Sequence, residues 1–136
     1  MIDERVTSDI YGKRSPSELT RQLFLVRGFE FDDVERRITW RVKKDLYGFA
    51  DHLAFMHPTQ LVFIQSTSAS NHSARVKKVA ASEIARLLCQ GGHAVCVVSW
   101  KSKKVRNTRK DGSEGLAWKR IHVGRIATFQ IEDFTV

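Results

Sequence analysis

The chain predicts an α/β fold: a central mixed sheet with helices on its faces. Three observations carry this. A pair of neighbouring strands, about Gly48 to Met56 and Gln60 to Thr67, meets at a turn, Met56-His57-Pro58-Thr59. A helical stretch, about His72 to Gln90, separates that hairpin from the continuous apolar run Ala94 to Trp100. Such a run marks a strand covered on both faces. Strands in sequence before a crossover helix then argue for a mixed sheet.

The elements follow in order. Residues 1–15 are polar and mixed in charge, which predicts a loose arm. Ser15-Pro16-Ser17-Glu18 has the proline and early acid of a helix start. Leu19, Leu23, Phe24 and Val26 follow at helical spacing, and Gly28 falls just past the end. A helix over Ser17 to Arg27 is expected, one face on a sheet. Phe29 to Val42 reads as a turn and an irregular strand near a sheet edge, Val34, Arg36, Ile38 and Trp40 alternating with charged or polar residues. Val42-Lys43-Lys44-Asp45 is a charged connection. After the hairpin, Ser68 to Ser73 is small and polar, suited to capping a helix and to close backbone approach to phosphate. The next helix is expected to break near Ala81-Ser82, with Ser82 capping a second segment, and to end at Gly91-Gly92. Lys101 to Gly115 is the most basic segment, turning at Asp111-Gly112 and Glu114-Gly115. Leu116 to Val123 returns as a strand, and Ile126 to Val136 reads as a short edge strand.

The 136 residues suit one domain with one core, and 42% apolar residues argue against wholesale disorder. Lys and Arg number 23 against 15 acids, a net +8. That excess favours a polyanion partner, nucleic acid before membrane, because no basic amphipathic helix with an aromatic face is present. No apolar run approaches the roughly 20 residues that span a bilayer. Cys89 and Cys96 have no CxxC spacing and sit in apolar surroundings, so they read as core filler in a reduced, cytoplasmic setting. His52, His57, His72, His93 and His122 lack zinc-ligand spacing. His72 lies nearest the hairpin and could contact phosphate. No Gly-rich nucleotide loop, Ser-His-Asp arrangement or nucleophile elbow is legible.

Chemistry concentrates on the hairpin. Asp51 is an acid among apolar residues of the first strand. Gln65 and Thr67, two residues apart on the second, point the same way. The plainer readings are a turn or capping role for Asp51 and backbone satisfaction for Gln65. Glu35 could likewise simply balance Arg36 and Arg37, and Lys77 and Lys78 could form a solvated helix face.

The element order, with Asp51 in Gly48-Phe49-Ala50-Asp51-His52-Leu53-Ala54-Phe55 and the strand Leu61-Val62-Phe63-Ile64-Gln65-Ser66-Thr67-Ser68, resembles the PD-(D/E)XK nuclease superfamily. Within it, the small Holliday-junction-resolvase-like proteins of phages and archaea are the nearer likeness, over roughly residues 17 to 123. The resemblance implies a restriction-endonuclease-like α-β-β-β-α-β core. It further implies a structure-selective, Mg²⁺- or Mn²⁺-dependent DNA endonuclease, homodimeric on branched or duplex DNA, working in a bacterial or archaeal cell, whether host- or phage-encoded. Asp51 matches the family's first acid, and Glu18 resembles the helix acid of many resolvases. The family's Glu-x-Lys is replaced by Gln65-x-Thr67. A Gln carbonyl can ligate Mg²⁺ without bringing charge, and a Thr hydroxyl cannot neutralise an anionic transition state as Lys does. The expected site is therefore Asp51 and Gln65 on the metal, with Thr67. Glu18 or Glu35 would replace the second carboxylate, and Lys77 or Lys78 the lost cation. Lys101, Lys103, Lys104, Arg106, Arg109 and Lys110, with Lys77 and Lys78, form the expected DNA-binding set, gripping backbone by counterion release. The basic segment could instead be a flexible, solvated loop. Two other functions stay open: a DNA-binding protein on the same fold that no longer cuts, and a phage structural or interaction protein.

Overall fold

The computed structural model describes residues 1–8, 10–37, 43–109 and 111–134. The alternation expected at Ile38 and Trp40, and the cation Lys110, lie outside the described residues. The elements run β1 (Ile2–Ser8), α1 (Pro16–Val26), β2 (Glu30–Asp33), β3 (Arg36–Arg37), β4 (Lys43–Lys44), β5 (His52–His57) and β6 (Gln60–Ser68). Then come α2 (His72–Ala80), α3 (Glu83–Gln90), β7 (Ala94–Thr108) and β8 (Glu114–Thr128). Six strands form one mixed sheet, ordered β1-β8-β7-β6-β5-β2, while β3 and β4 pair with each other. Only β6 and β7 pair in parallel within the six-stranded sheet; its other pairs are antiparallel. Two parallel neighbours need a crossover, and α2 and α3 supply it. The α/β class expected from the sequence is the class observed.

Local signals place the helices. Ser15 Oγ accepts the Glu18 amide at 3.2 Å, and Pro16 opens α1. Gly28 follows with φ +89°, a left-handed conformation that stops a helix at little steric cost. Ser82 Oγ accepts the Ala85 amide at 3.2 Å, so the helical stretch breaks where its cap stands.

The sheet has apolar groups on both faces. Leu19, Phe24, Ala54, Ile64, Cys96, Val98, Trp100 and Ile126 pack on the α1 side. Phe49, Ala50, Phe63, Val79, Ala85, Val95, Val97, Phe129 and Phe134 pack on the α2–α3 side. β7 contributes to both clusters, which explains its unbroken apolar run. Among the described residues, no helix is long and apolar enough to cross a membrane.

Four expectations are corrected. The N-terminus is no loose arm: Ile2–Ser8 pairs antiparallel with β8, Arg5 opposite Arg125 and Ser8 opposite His122. A strand at the rim of a sheet needs few apolar residues, so its polarity misled. Among the described residues the C-terminal edge strand does not form; Ile126–Thr128 ends β8 and Ile131–Asp133 is a 3-10 turn. The first hairpin strand starts at His52, because Leu46 and Ala50 bridge around Tyr47 (φ 54°) and Gly48 (φ 79°). The basic segment does pair with the returning strand, as the ends of two 15-residue strands, but the turn expected at Glu114-Gly115 does not form, because both residues belong to β8. Gly115 belongs to β8, where a Cβ would sit 2.6 Å from the Asn107 carbonyl oxygen.

Candidate functional site

Asp51 stands at the mouth of β5, clamped from both sides. Its amide donates to the Ile64 carbonyl at 2.8 Å, and its carbonyl accepts the Val34 amide at 2.9 Å. Its Oδ2 accepts the Ser66 amide at 2.9 Å, reaching across to β6. The turn before it, closed by Ala50 N–H to Leu46 O at 2.9 Å, carries Asp45. The chain leaving β2 carries Glu35. One carboxylate oxygen each of Glu35, Asp45 and Asp51 lies within 4.8 Å of the other two.

Asp51 is 8% exposed. Burial pushes its carboxyl up to about 7, helped by the Asp45 carboxyl beside it and opposed by the Ser66 amide; Glu35 adds a smaller upward push. Two lysines border the acids: Lys43 Nζ lies 3.3 Å from Glu35 Oε1, and Lys78 Nζ lies 4.0 Å from Asp45 Oδ2. A pocket of about 310 Å³ opens here, lined by Ser17, Asp33, Glu35, Lys43, Asp51 and His52.

Gln65 and Thr67 share the α2–α3 side of β6 with Phe63, as a period of two requires. Gln65 is 3% exposed, and its Oε1 has no hydrogen-bond partner among the described residues. It immediately precedes Ser66, whose amide holds Asp51. Buried polar atoms are normally paired, and this one is an amide oxygen on the strand beside Asp51, free to accept a cation. Three carboxylate oxygens and an amide oxygen are the hard donors that Mg²⁺ or Mn²⁺ takes. The residues present fit such an ion.

Of the expected site residues, Asp51, Glu35 and Lys78 come together, with Gln65 and Thr67 on the adjoining strand. Glu18 does not join them. It is exposed at the start of α1, where its Oε1 accepts the Ser15 hydroxyl at 3.2 Å and Arg14 lies 3.7 Å away. Its early-turn position serves the helix end rather than the cluster. Lys77 is exposed on α2. Asp45 is the site residue that sequence reasoning missed. Its only signal was a place in a charged connection, and the turn at Tyr47-Gly48 folds it back.

A second missed arrangement lies on the other face. Asp33 Oδ1, His52 Nδ1 and Nε2, and Ser66 Oγ form a chain with steps of 2.7 and 2.7 Å. Acid, imidazole and serine therefore do meet in space, contrary to the sequence reading. The serine is tied down: its Oγ donates to Thr20 Oγ1 at 2.8 Å, which also receives Trp100 Nε1–H at 3.0 Å. This chain fastens α1 to β5 and β6, holding Ser66 in place on the strand that grips Asp51. Burial lowers the His52 pKa, with Asp33 opposing. Trp100 is 4% exposed and belongs to this scaffold.

The basic strands form a projecting ribbon. β6 ends opposite Trp100 and β1 ends opposite His122, so beyond them β7 and β8 pair only with each other. The eight residues from Lys101 to Thr108 extend about 26 Å at roughly 3.3 Å per residue. Lys101, Lys103, Lys104 and Arg109 are exposed. Lys104 stands directly opposite Arg120, and on the same side Arg106 lies 4.6 Å from the ring centre of Trp118, which is 59% exposed. Like charges placed opposite each other cost stability, a cost that an anion would relieve.

Comparison with known protein families, with curated proteins and with solved structures finds no match for this chain.

Proposed function

We propose that this chain is a metal-dependent DNA endonuclease of the PD-(D/E)XK kind, resembling Holliday-junction resolvases and acting on branched or duplex DNA as a homodimer. The observation that carries the reading is the convergence of Asp51, Glu35 and Asp45, and the strand paired beside Asp51 carries the buried, unpartnered Gln65 oxygen. The pairing order supports it too: a helix, antiparallel strands, a helical crossover and a parallel strand follow the order that the resemblance implies.

Asp51, Glu35, Asp45 and Gln65 would hold Mg²⁺ or Mn²⁺. That ion supplies charge neutralisation at a phosphodiester and a water made acidic enough to attack it. Asp51 must be ionised to bind it, and burial beside Asp45 makes that ionisation the sensitive step. Lys78, 4.0 Å from Asp45, stands where the cation missing at Thr67 would be replaced. The Asp33–His52–Ser66–Thr20 chain positions Asp51 through the Ser66 amide. The ribbon suits the major groove, which admits two-stranded β-structure, and its cations would contact phosphates.

One observation favours a second reading, a DNA-binding protein that no longer cuts: Thr67 brings no charge, and Lys78 is already paired with Asp45. Incubating a labelled four-way junction and a linear duplex, with and without Mg²⁺ or Mn²⁺, separates the readings. The nuclease predicts metal-dependent cutting that Asp51→Asn lowers at least 100-fold while binding persists. Salt-sensitive binding without cutting in either metal would leave the second reading. Absence of binding to both DNAs would leave a structural or interaction protein.

A further inference from the structure

We propose that the pocket formed by Arg5, His72, Ser99, Lys101 and Arg125 is a second phosphate-binding site, separate from the carboxylate cluster. It has a volume of about 460 Å³ and lies on the α2 side of the sheet, where β1, β8 and β7 meet the start of α2. Register builds it. Thr67 stands opposite Ser99, Ser99 opposite Arg125, and Arg125 opposite Arg5. Lys101 is two residues beyond Ser99 and so faces the same way.

His72 is the first residue of α2 and is 6% exposed. Its Nδ1 is 2.7 Å from Ser99 Oγ, while its Nε2 has no partner among the described residues. The Asn71 side chain caps none of the α2 amides, and the His72 amide donates to the Ala69 carbonyl of the turn before the helix. Arg125 Nε is 3.0 Å from Asp3 Oδ1; Arg5 and Lys101 have no carboxylate partner among the described residues. Arg5 and Arg125 face each other as like charges. Two guanidinium groups, an ammonium and an unpaired imidazole nitrogen match the several oxygens and the charge of one phosphate group.

Protonation of His72 is linked to this site. Burial, and then Arg125, lower its pKa, with Asp3 opposing; Arg5 and Lys101 complete the charged surroundings. A phosphate would reverse the balance, so binding takes up a proton and tightens as pH falls. The phosphate can come from a nucleic-acid 5′ end or from its backbone. Only that source rests on the function proposed above; the site is measured without divalent metal, so failure of cutting leaves it intact.

The test is a titration in EDTA, following the His72 ring by NMR. The probes are inorganic phosphate and one oligonucleotide carrying either a 5′-phosphate or a 5′-hydroxyl. We expect the His72 resonances to move and its pKa to rise. Arg5→Ala and Lys101→Ala, both at exposed positions, should each weaken binding about tenfold. His72→Asn, which keeps a polar atom for Ser99, should abolish the proton uptake. A tenfold preference for the 5′-phosphorylated strand assigns the terminal group; equal binding assigns the backbone. The proposal is overturned if none of the three probes moves His72. It is overturned equally if the shifts and affinities are the same in Arg5→Ala and Lys101→Ala.

Discussion

Asp51 concentrates the chemistry of the candidate site and also its cost. Its carboxyl titrates near 7 because burial and Asp45 favour the neutral form. The sign of the pH effect follows. The neutral form stabilises the fold at acid pH, and this contribution is lost as pH rises from the ordinary carboxylate range through about 7. Asp51→Asn imitates the neutral acid and keeps an oxygen for the Ser66 amide. At pH 8 it should gain about 0.5–2 kcal/mol in a denaturant titration while losing divalent-metal binding. In the unmodified protein, metal must displace the proton. Calorimetric Mn²⁺ affinity should therefore fall about tenfold per pH unit below 7, as one proton is released per ion bound. Gln65→Glu should act oppositely to Asp51→Asn, tightening Mn²⁺ binding and lowering metal-free stability at pH 8. An unchanged affinity would show that residue 65 is no ligand.

At the scale of the element, the β7–β8 ribbon and the Trp100–Gly124 contact make opposite predictions. Lys104 and Arg120 face each other as like charges across the ribbon, and both are exposed. Replacing both with Ala should leave the melting temperature unchanged or slightly raised. It should also make the dependence of log K on log salt shallower by about 2 if both meet phosphate. An unchanged slope would remove the ribbon from the interface. Gly124 lies against the Trp100 ring, and a Cβ there would come within 2.7 Å of two ring carbons. Trp100 cannot move without breaking its hydrogen bond to Thr20. Gly124→Ala should therefore cost about 1–3 kcal/mol in thermal or denaturant unfolding. Helix boundaries were legible from the sequence at this scale because Ser15, Gly28 and Ser82 act on amides and carbonyls within a few residues of themselves. The ribbon was half legible. Its charge, turn and returning strand were visible, but how far it projects depended on where β1 and β6 stop pairing with it.

At the scale of the whole molecule, β1 closes the long outer edge of β8, with Arg125 bound to Asp3 and Arg27 to Glu4. Removing residues 1–8 should expose that edge, lower the melting temperature and promote self-association, measurable by light scattering. The sequence by itself determined the α/β class, the helix limits, the strand hairpin and the shared facing of Gln65 and Thr67. These depend on periodicity, caps and turn residues, all of which act over a few positions. Only the tertiary structure decided that Asp45 folds back on Asp51, that Glu18 stays apart at its helix end, that Asp33, His52 and Ser66 align, and that the N-terminal residues form a strand. Each of those outcomes depends on register and packing between distant segments, and no single stretch of chain carries that information.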